Sequence, residues 1–237
     1  MNQKSVGNDH NELMSREAEL FNTFKQHHMV HIDLFSKINE SDSYSSVNPM
    51  KQVPSLELKS EGTNCRILLT QSLPIIEFLD SLAEMIVEQE TDVLGSSKDA
   101  DYLIPKKDLI LAYKTRQLAE IVNSGIQPYQ NIKLLRMIPK EVRGEDNKQW
   151  IGEWQRKGLT QIEQIIKEQY GKVEANNQQP IYSIKYYGKL SMSDLFLVPS
   201  VEAAIERSNV NVPLEFPNTF NLYNSLKSTE IFNNTRK

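Results

Sequence analysis

The feature that most constrains this chain is a change of apolar period near residue 90. Before it, Val53-Pro54-Ser55-Leu56-Glu57-Leu58 and Arg66-Ile67-Leu68-Leu69 are short strand-like runs with the polar stretch Ser60 to Asn64 between them. That is the pattern of a hairpin with a loop of several residues. After it, apolar residues recur at three- and four-residue intervals through Leu109 to Ile126 and again through Asn147 to Tyr170, the mark of amphipathic helices. The order predicts an α/β unit followed by an all-helical one.

The rest of the first unit follows from local signals. Residues 1–12 are polar, without either period, and read as a mobile tail. From Leu13 to Gln26 the spacing predicts a helix, with Met14, Ala18 and Phe21 on one face. Met29 to Phe35 alternates, with Val30, Ile32 and Leu34 on one side, and predicts a short strand. Ser72 is placed as an N-cap with Pro74 in the first turn, and Ile75, Ile76, Leu79, Leu82 and Ala83 follow at helical spacing. Residues 89–105, polar and carrying Gly95-Ser96-Ser97, read as a linker between a unit of residues 1–88 and one of residues 106–237.

In the second unit, Ser191-Met192-Ser193-Asp194 is close to a capping box with Asp at N3, and Leu190 and Leu195 stand at the staple positions. Thr219 to Lys227 reads as a last helix. Trp150 and Trp154, four apart, read first as a core stripe and second as a pair able to stack on an aromatic ligand.

Composition removes several function classes. The formal charge of −4 argues against a nucleic-acid footprint. The single cysteine, Cys65, permits no internal disulfide and no cysteine-based zinc site. No run approaches 18 apolar residues, and the first twenty lack a signal-peptide core. The expectation is a soluble, cytoplasmic protein with neither membrane nor nucleic-acid partner. His27 and His31, if they lead into a strand, lie about 13 Å apart along it, too far for one zinc ion with bonds near 2 Å. No metal site is expected.

One corner is suited to an anion. The helix start at Gln71-Ser72 combines free N–H groups, a hydroxyl and the positive end of the dipole. Taken alone, Ser72 simply caps its helix. Read with its neighbours it says more. Asn48-Pro49-Met50-Lys51-Gln52-Val53-Pro54, then Thr70-Gln71-Ser72-Leu73-Pro74, resembles the glutathione transferase superfamily. Gly125-Ile126-Gln127-Pro128-Tyr129-Gln130-Asn131 and Asp194-Leu195-Phe196-Leu197-Val198-Pro199 narrow the resemblance to the zeta class, the maleylacetoacetate isomerases. It runs from about Lys25 to the C-terminus.

That resemblance implies a thioredoxin-like N-terminal domain, an all-helical C-terminal domain and glutathione as cofactor. By the same resemblance Val53, before a cis-proline at Pro54, offers its main chain to glutathione like an added strand. Gln71 and Ser72 hold the γ-glutamyl carboxylate, and Gln127, Asn131, Ile132 and Lys133 close the site from the helical domain. A homodimer is also implied.

The start of the chain departs from the family. The zeta class opens with a strand and a Ser-Ser-Cys loop that activates the glutathione thiol. Here the region reads Asn11-Glu12-Leu13-Met14-Ser15-Arg16-Glu17-Ala18. Ser15 is either a remnant of that loop or the cap of its helix, and Arg16 is the best-placed cation for a substrate carboxylate. Either the first dozen residues are not the native start or the member is divergent; loss of the first strand would expose a sheet edge. The implied activity is glutathione-dependent isomerisation of maleylacetoacetate to fumarylacetoacetate in tyrosine and phenylalanine breakdown. The alternatives are a transferase acting on small α-halo acids and a catalytically silent glutathione-binding domain.

Overall fold

The computed structural model describes residues 28–59, 66–94, 102–174 and 180–234. The chain divides into two units, Met1–Lys98 and Asp99–Lys237. In the first, a 3-10 turn (Ile38–Glu40) and a one-turn helix α1 (Asp42–Ser45) lead to strands β1 (Ser55–Lys59) and β2 (Arg66–Thr70), then to the long helix α2 (Ser72–Leu94). The strands pair antiparallel, with Ser55 opposite Thr70 and Lys59 opposite Arg66. This is the expected hairpin. Glu57 lies between Lys59 and Arg66 on its outer face, bonded to both, while Leu58 points inward and is buried.

The strand expected over Met29 to Phe35 does not form: residues 28–33 are irregular and 34–37 make a turn. Met29, Val30 and Phe35 are exposed. The reason is Asp33. Its carboxylate accepts the Phe35 N–H at 2.8 Å and its carbonyl accepts the Ser36 hydroxyl at 3.1 Å, so the chain bends where the alternation would have to continue. The helix expected over Leu13 to Gln26 lies outside the described residues.

The second unit is helical: α3 (Leu109–Gly125), a 3-10 turn (Gln127–Gln130), α4 (Ile132–Met137), α5 (Lys140–Arg143), α6 (Lys148–Tyr170), α7 (Met192–Arg207), α8 (Val212–Glu215), α9 (Pro217–Lys227) and α10 (Glu230–Asn234). Asp108 starts α3, its carboxylate accepting the N–H groups of Ile110 and Leu111, both at 2.9 Å. The buried stripe of α3 is Ala112, Thr115, Leu118, Ala119 and Val122, and two alanines let it lie closely along α7, with α6 beside it. Gly158 on α6 is required by Ile126: a Cβ there would stand 2.3 Å from the Ile126 side chain, which is itself fully buried.

Two polar devices hold this unit. Asp194, fully buried at the start of α7, accepts the Ser183 N–H at 2.7 Å, the Ser191 N–H at 2.8 Å and the Ser191 hydroxyl at 2.7 Å. The capping box read from Ser191 to Asp194 is present. Burial pushes the Asp194 carboxyl up, against the pull of these donors. Burial, helped by the Asp194 charge, also pushes the neighbouring Tyr170 phenol up to about 12. The second device is Glu163 on α6. Its carboxylate takes the backbone N–H groups of Asn218 (3.0 Å) and Thr219 (2.7 Å), and both of their side chains, at the start of α9. Those N–H groups have no partner within their own helix. Among the described residues no helix is long and apolar enough to cross a membrane.

Candidate functional site

The strand register brings two segments together. Because Ser55 faces Thr70, the residues just before β1 and just after β2 meet at one end of the hairpin. The first segment is held from behind by buried polar groups. Asn48 donates to the Gln52 carbonyl at 2.8 Å, the Tyr44 hydroxyl donates to the same carbonyl at 2.8 Å, and Asn39 donates to the Lys51 carbonyl at 2.7 Å. Tyr44 and Asn48 are both buried. With its carbonyls tied inward, the loop turns Met50 and Val53 outward, 61% and 43% exposed. The Val53–Pro54 bond is cis, and Val53 stands two residues before the β1–β2 ladder begins.

The second segment contains a strained residue. Gln71 has φ +73°, in the left-handed region that costs a non-glycine residue about 1 kcal/mol or more. Lys51, in the facing loop, has φ +58°. Gln71 is exposed, and its side-chain amide donates to the Gln52 side chain at 3.3 Å and lies 3.6 Å from the Met50 sulfur. The Gln71 carbonyl accepts the Ile75 N–H at 3.1 Å. That bond makes Gln71 the flanking cap position and Ser72 the first residue of α2, one position further in than the sequence suggests. The hydroxyl of Ser72 thus sits in the first turn, at the positive end of a 23-residue helix.

In the helical unit, Gln127 opens the 3-10 turn and is exposed. Asn131 caps α4, its side chain accepting the Lys133 N–H at 2.9 Å. Ile132 is half-buried and Lys133 exposed. Ser15 and Arg16 lie outside the described residues, as does Cys65.

No family model matches the chain. Individual proteins do. It is 27% identical to probable maleylacetoacetate isomerase 1 of Drosophila melanogaster over 82% of this chain and 63% of that protein, so it spans less than two thirds of that relative's length. It is 29% identical to glutathione S-transferase Z2 of Arabidopsis thaliana, over 84% of this chain and 74% of the relative. Maleylacetoacetate isomerase of Mus musculus is also 29% identical, over 81% and 71% respectively. Among solved structures, a bacterial zeta-class maleyl pyruvate isomerase superposes with a TM-score of 0.67 at 22% identity, covering 92% of this chain and 88% of that one. Maleylacetoacetate isomerase from Anaeromyxobacter dehalogenans, with bound GSH in the active site, superposes at 0.64 with 25% identity over 92% and 87%.

Over most of its length the chain is similar to zeta-class glutathione transferases and maleylacetoacetate isomerases. Its fold is theirs: a thioredoxin-like domain followed by a helical one. Gln52 and Met50, which sequence reading did not single out, stand against Gln71. The signal that could have found them is the register: Gln52 and Met50 stand three and five residues before β1, at the end of the hairpin where the residues after β2 also lie.

The two tryptophans are not a core stripe. Both are half-buried. Trp154 stacks on Tyr129 with ring centroids 3.4 Å apart and planes parallel, and the Trp150 indole N–H donates to the Tyr129 carbonyl at 3.0 Å. The Lys157 ammonium sits 4.2 Å over the Trp154 ring. A ring stacked that closely leaves no room for it on the same face, so Tyr129 covers one face of Trp154 and the exposed Lys157 lies over the other. A groove of about 650 Å³ lies elsewhere on this unit, between α7 and α9. Lys227, Tyr223 and Glu202 bond to one another across it, and it includes none of the residues above.

Proposed function

We propose that this chain is a glutathione-dependent isomerase that converts maleylacetoacetate to fumarylacetoacetate, the cis-to-trans step of tyrosine and phenylalanine breakdown. The observation that carries the reading is the hairpin end where the loop of Met50, Gln52 and Val53 meets the strained Gln71 and the α2 start at Ser72. The names of the relatives point the same way, and solved relatives hold glutathione.

The residues present fit that tripeptide. Val53, exposed and ahead of the ladder, offers its main chain for strand-like pairing. Gln71 and Ser72 offer an amide, a hydroxyl and first-turn N–H groups to a carboxylate. We assign Gln127, Asn131, Ile132 and Lys133 of the helical unit to the same ligand, Ser15 to donate a hydrogen bond to its thiol, and Arg16 to a substrate carboxylate. The chemistry that bound glutathione supplies is reversible thiolate addition across the cis double bond, which replaces a forbidden rotation with rotation about a single bond. The part of the chain's own residues is to hold the tripeptide, keep the thiol ionised with hydroxyl and N–H donors, and fix the substrate carboxylates. We place the protein in the cytoplasm as a homodimer, with residues 1–88 as the glutathione-binding half and residues 106–237 as the helical half.

The absence of a Ser-Ser-Cys loop from the sequence favours one second reading, a silent glutathione binder. Turnover of maleylacetoacetate by the 237-residue chain, with and without glutathione, separates the two. Glutathione-dependent isomerisation is the expected result. Calorimetric binding without turnover overturns the isomerase reading of this chain and is the outcome expected of a silent binder, and neither binding nor turnover overturns both.

A further inference from the structure

The turn that carries Gln127 and Asn131 has little to hold it from within. It is a four-residue 3-10 helix, closed at its ends by the Tyr129 N–H to the Ile126 carbonyl at 3.2 Å and the Asn131 N–H to the Pro128 carbonyl at 3.3 Å. Such short 3-10 pieces have poor hydrogen-bond geometry. Gln127 and Pro128 are exposed. The turn is fixed from outside at two places. Ile126 is buried in the space that Gly158 leaves open. Tyr129 is gripped twice, by the Trp154 ring against its own ring and by the Trp150 N–H on its carbonyl.

Both grips come from one helix. Trp150 and Trp154 are four apart on α6, so they share a face one turn apart, and the long, well-packed α6 is anchored by Ile151, Leu159, Ile162 and Ile166. Lys157, one turn on, covers the other face of Trp154 and is bonded to Glu153 at 2.9 Å. The arrangement transfers the rigidity of α6 to the middle of an otherwise weak turn, between Gln127 and Asn131. It leaves their side chains outside the grip: Gln127 is exposed, and Asn131 keeps its amide N–H₂ while its oxygen caps α4.

We propose that Trp150, Tyr129 and Trp154 form a clamp that sets the Gln127–Asn131 turn in the shape in which it receives glutathione, making all three positioning residues of that site. The proposal rests on the assignment of Gln127 and Asn131 to glutathione made above. The clamp acts through the Tyr129 ring and carbonyl, so Tyr129→Phe retains it while Tyr129→Ala removes the stack. Trp150→Phe removes one hydrogen bond and keeps an aromatic ring.

The experiment measures glutathione affinity and the steady-state constants of the full chain, with amide exchange over residues 126–133, in wild type and these three variants. Tyr129→Ala is expected to raise the KM and Kd for glutathione about five- to tenfold, the worth of one aromatic pair. Its kcat stays within about twofold, as for a change in uniform binding. Exchange in 126–133 accelerates while exchange in the buried part of α6 does not. Trp150→Phe shows a smaller rise in KM, and Tyr129→Phe behaves as wild type. Unchanged affinity in Tyr129→Ala overturns the proposal, whether or not exchange accelerates. An equal loss in Tyr129→Phe overturns it too, because the ring and carbonyl are intact there. If the wild type itself does not bind glutathione, the functional reading falls. The clamp is then judged by exchange alone, and unaltered exchange in Tyr129→Ala removes it as well.

Discussion

Polar side chains at helix starts do opposite jobs in the two units. At the start of α7, Asp194 is fully buried and meets three donors from Ser183 and Ser191. At the start of α2, Gln71 is exposed, sits at φ +73°, and makes only long contacts to Gln52 and Met50. The first arrangement is closed: every strong donor in reach has its acceptor, and nothing is left to offer a ligand. The second is open and costs backbone strain that no buried contact repays, which is the pattern of a site shaped for something outside the chain. The contrast teaches a way to sort polar residues here. The buried, satisfied Asp194 is sorted to the scaffold, and the strained, exposed Gln71 to the proposed glutathione site.

The sharpest test of that sorting is Asp194→Ala. It strands two buried N–H groups, at about 1–3 kcal/mol each, for a loss of about 3 kcal/mol. For a chain of this size that lowers the thermal midpoint by about 6–12 °C. Glutathione affinity measured well below the melt should be unchanged. A drop in affinity of tenfold or more without loss of stability would place Asp194 in the site and break the comparison.

Glu163 is the next largest. Replacing it by Gln leaves one carbonyl oxygen to serve the four donors of Asn218 and Thr219. The cost of a damaged helix cap is about 1–2 kcal/mol, read from the denaturant midpoint at unchanged slope. Ligand affinity should again not move.

Gln71→Ala should give the reverse pattern. It keeps the backbone strain but removes the amide, so stability stays within about 0.5 kcal/mol. Glutathione affinity falls about tenfold, which corresponds to about 1.4 kcal/mol. Calorimetry and a thermal melt on the same sample decide it. A destabilised variant with full affinity would assign Gln71 to the scaffold.

How much of this was legible beforehand follows from how local each signal is. The Ser191–Asp194 box is written within four residues, and α7 starts where those residues predict. The spacing through Leu109 to Ile126 and Asn147 to Tyr170 likewise gives α3 and α6 nearly to the residue. The failures are of two kinds. At Met29 to Phe35 the alternation is real, but Asp33 captures the Phe35 N–H and a turn wins over a strand that has no described partner. At Glu163 the partner lies 55 residues away, and no local pattern can reveal it. The site falls between. Val53, Gln71 and Ser72 were reachable from their motif, and strand register then brings Gln52 and Met50 to them. The left-handed Gln71, and the tryptophans gripping Tyr129, depend on tertiary contacts that residue spacing does not encode.

The smallest effect refines the comparison at its edge, where a polar group is satisfied but not buried. Glu215 takes the Arg156 guanidinium on both oxygens, at 2.7 and 3.2 Å, and the Asn211 N–H at 2.8 Å. The Arg156 hydrogen bonds, then the Asn211 N–H, hold its carboxyl below the usual 4.5. A depressed carboxyl contributes its stability above the unfolded value, and that contribution is lost as pH falls through the lower folded one. The window therefore opens below about pH 4.5. Arg156 and Glu215 are 38% and 30% exposed, so solvent screening limits the pair to a few tenths of a kcal/mol. Between pH 6 and pH 3 the wild type should lose about 1 °C more in thermal midpoint than Glu215→Gln, because the variant has no charge to neutralise. Equal losses would show that the bond contributes nothing measurable. A loss of several degrees would put Glu215 with Asp194 among the groups on which the helical unit depends, and burial would no longer be needed to mark a scaffold residue.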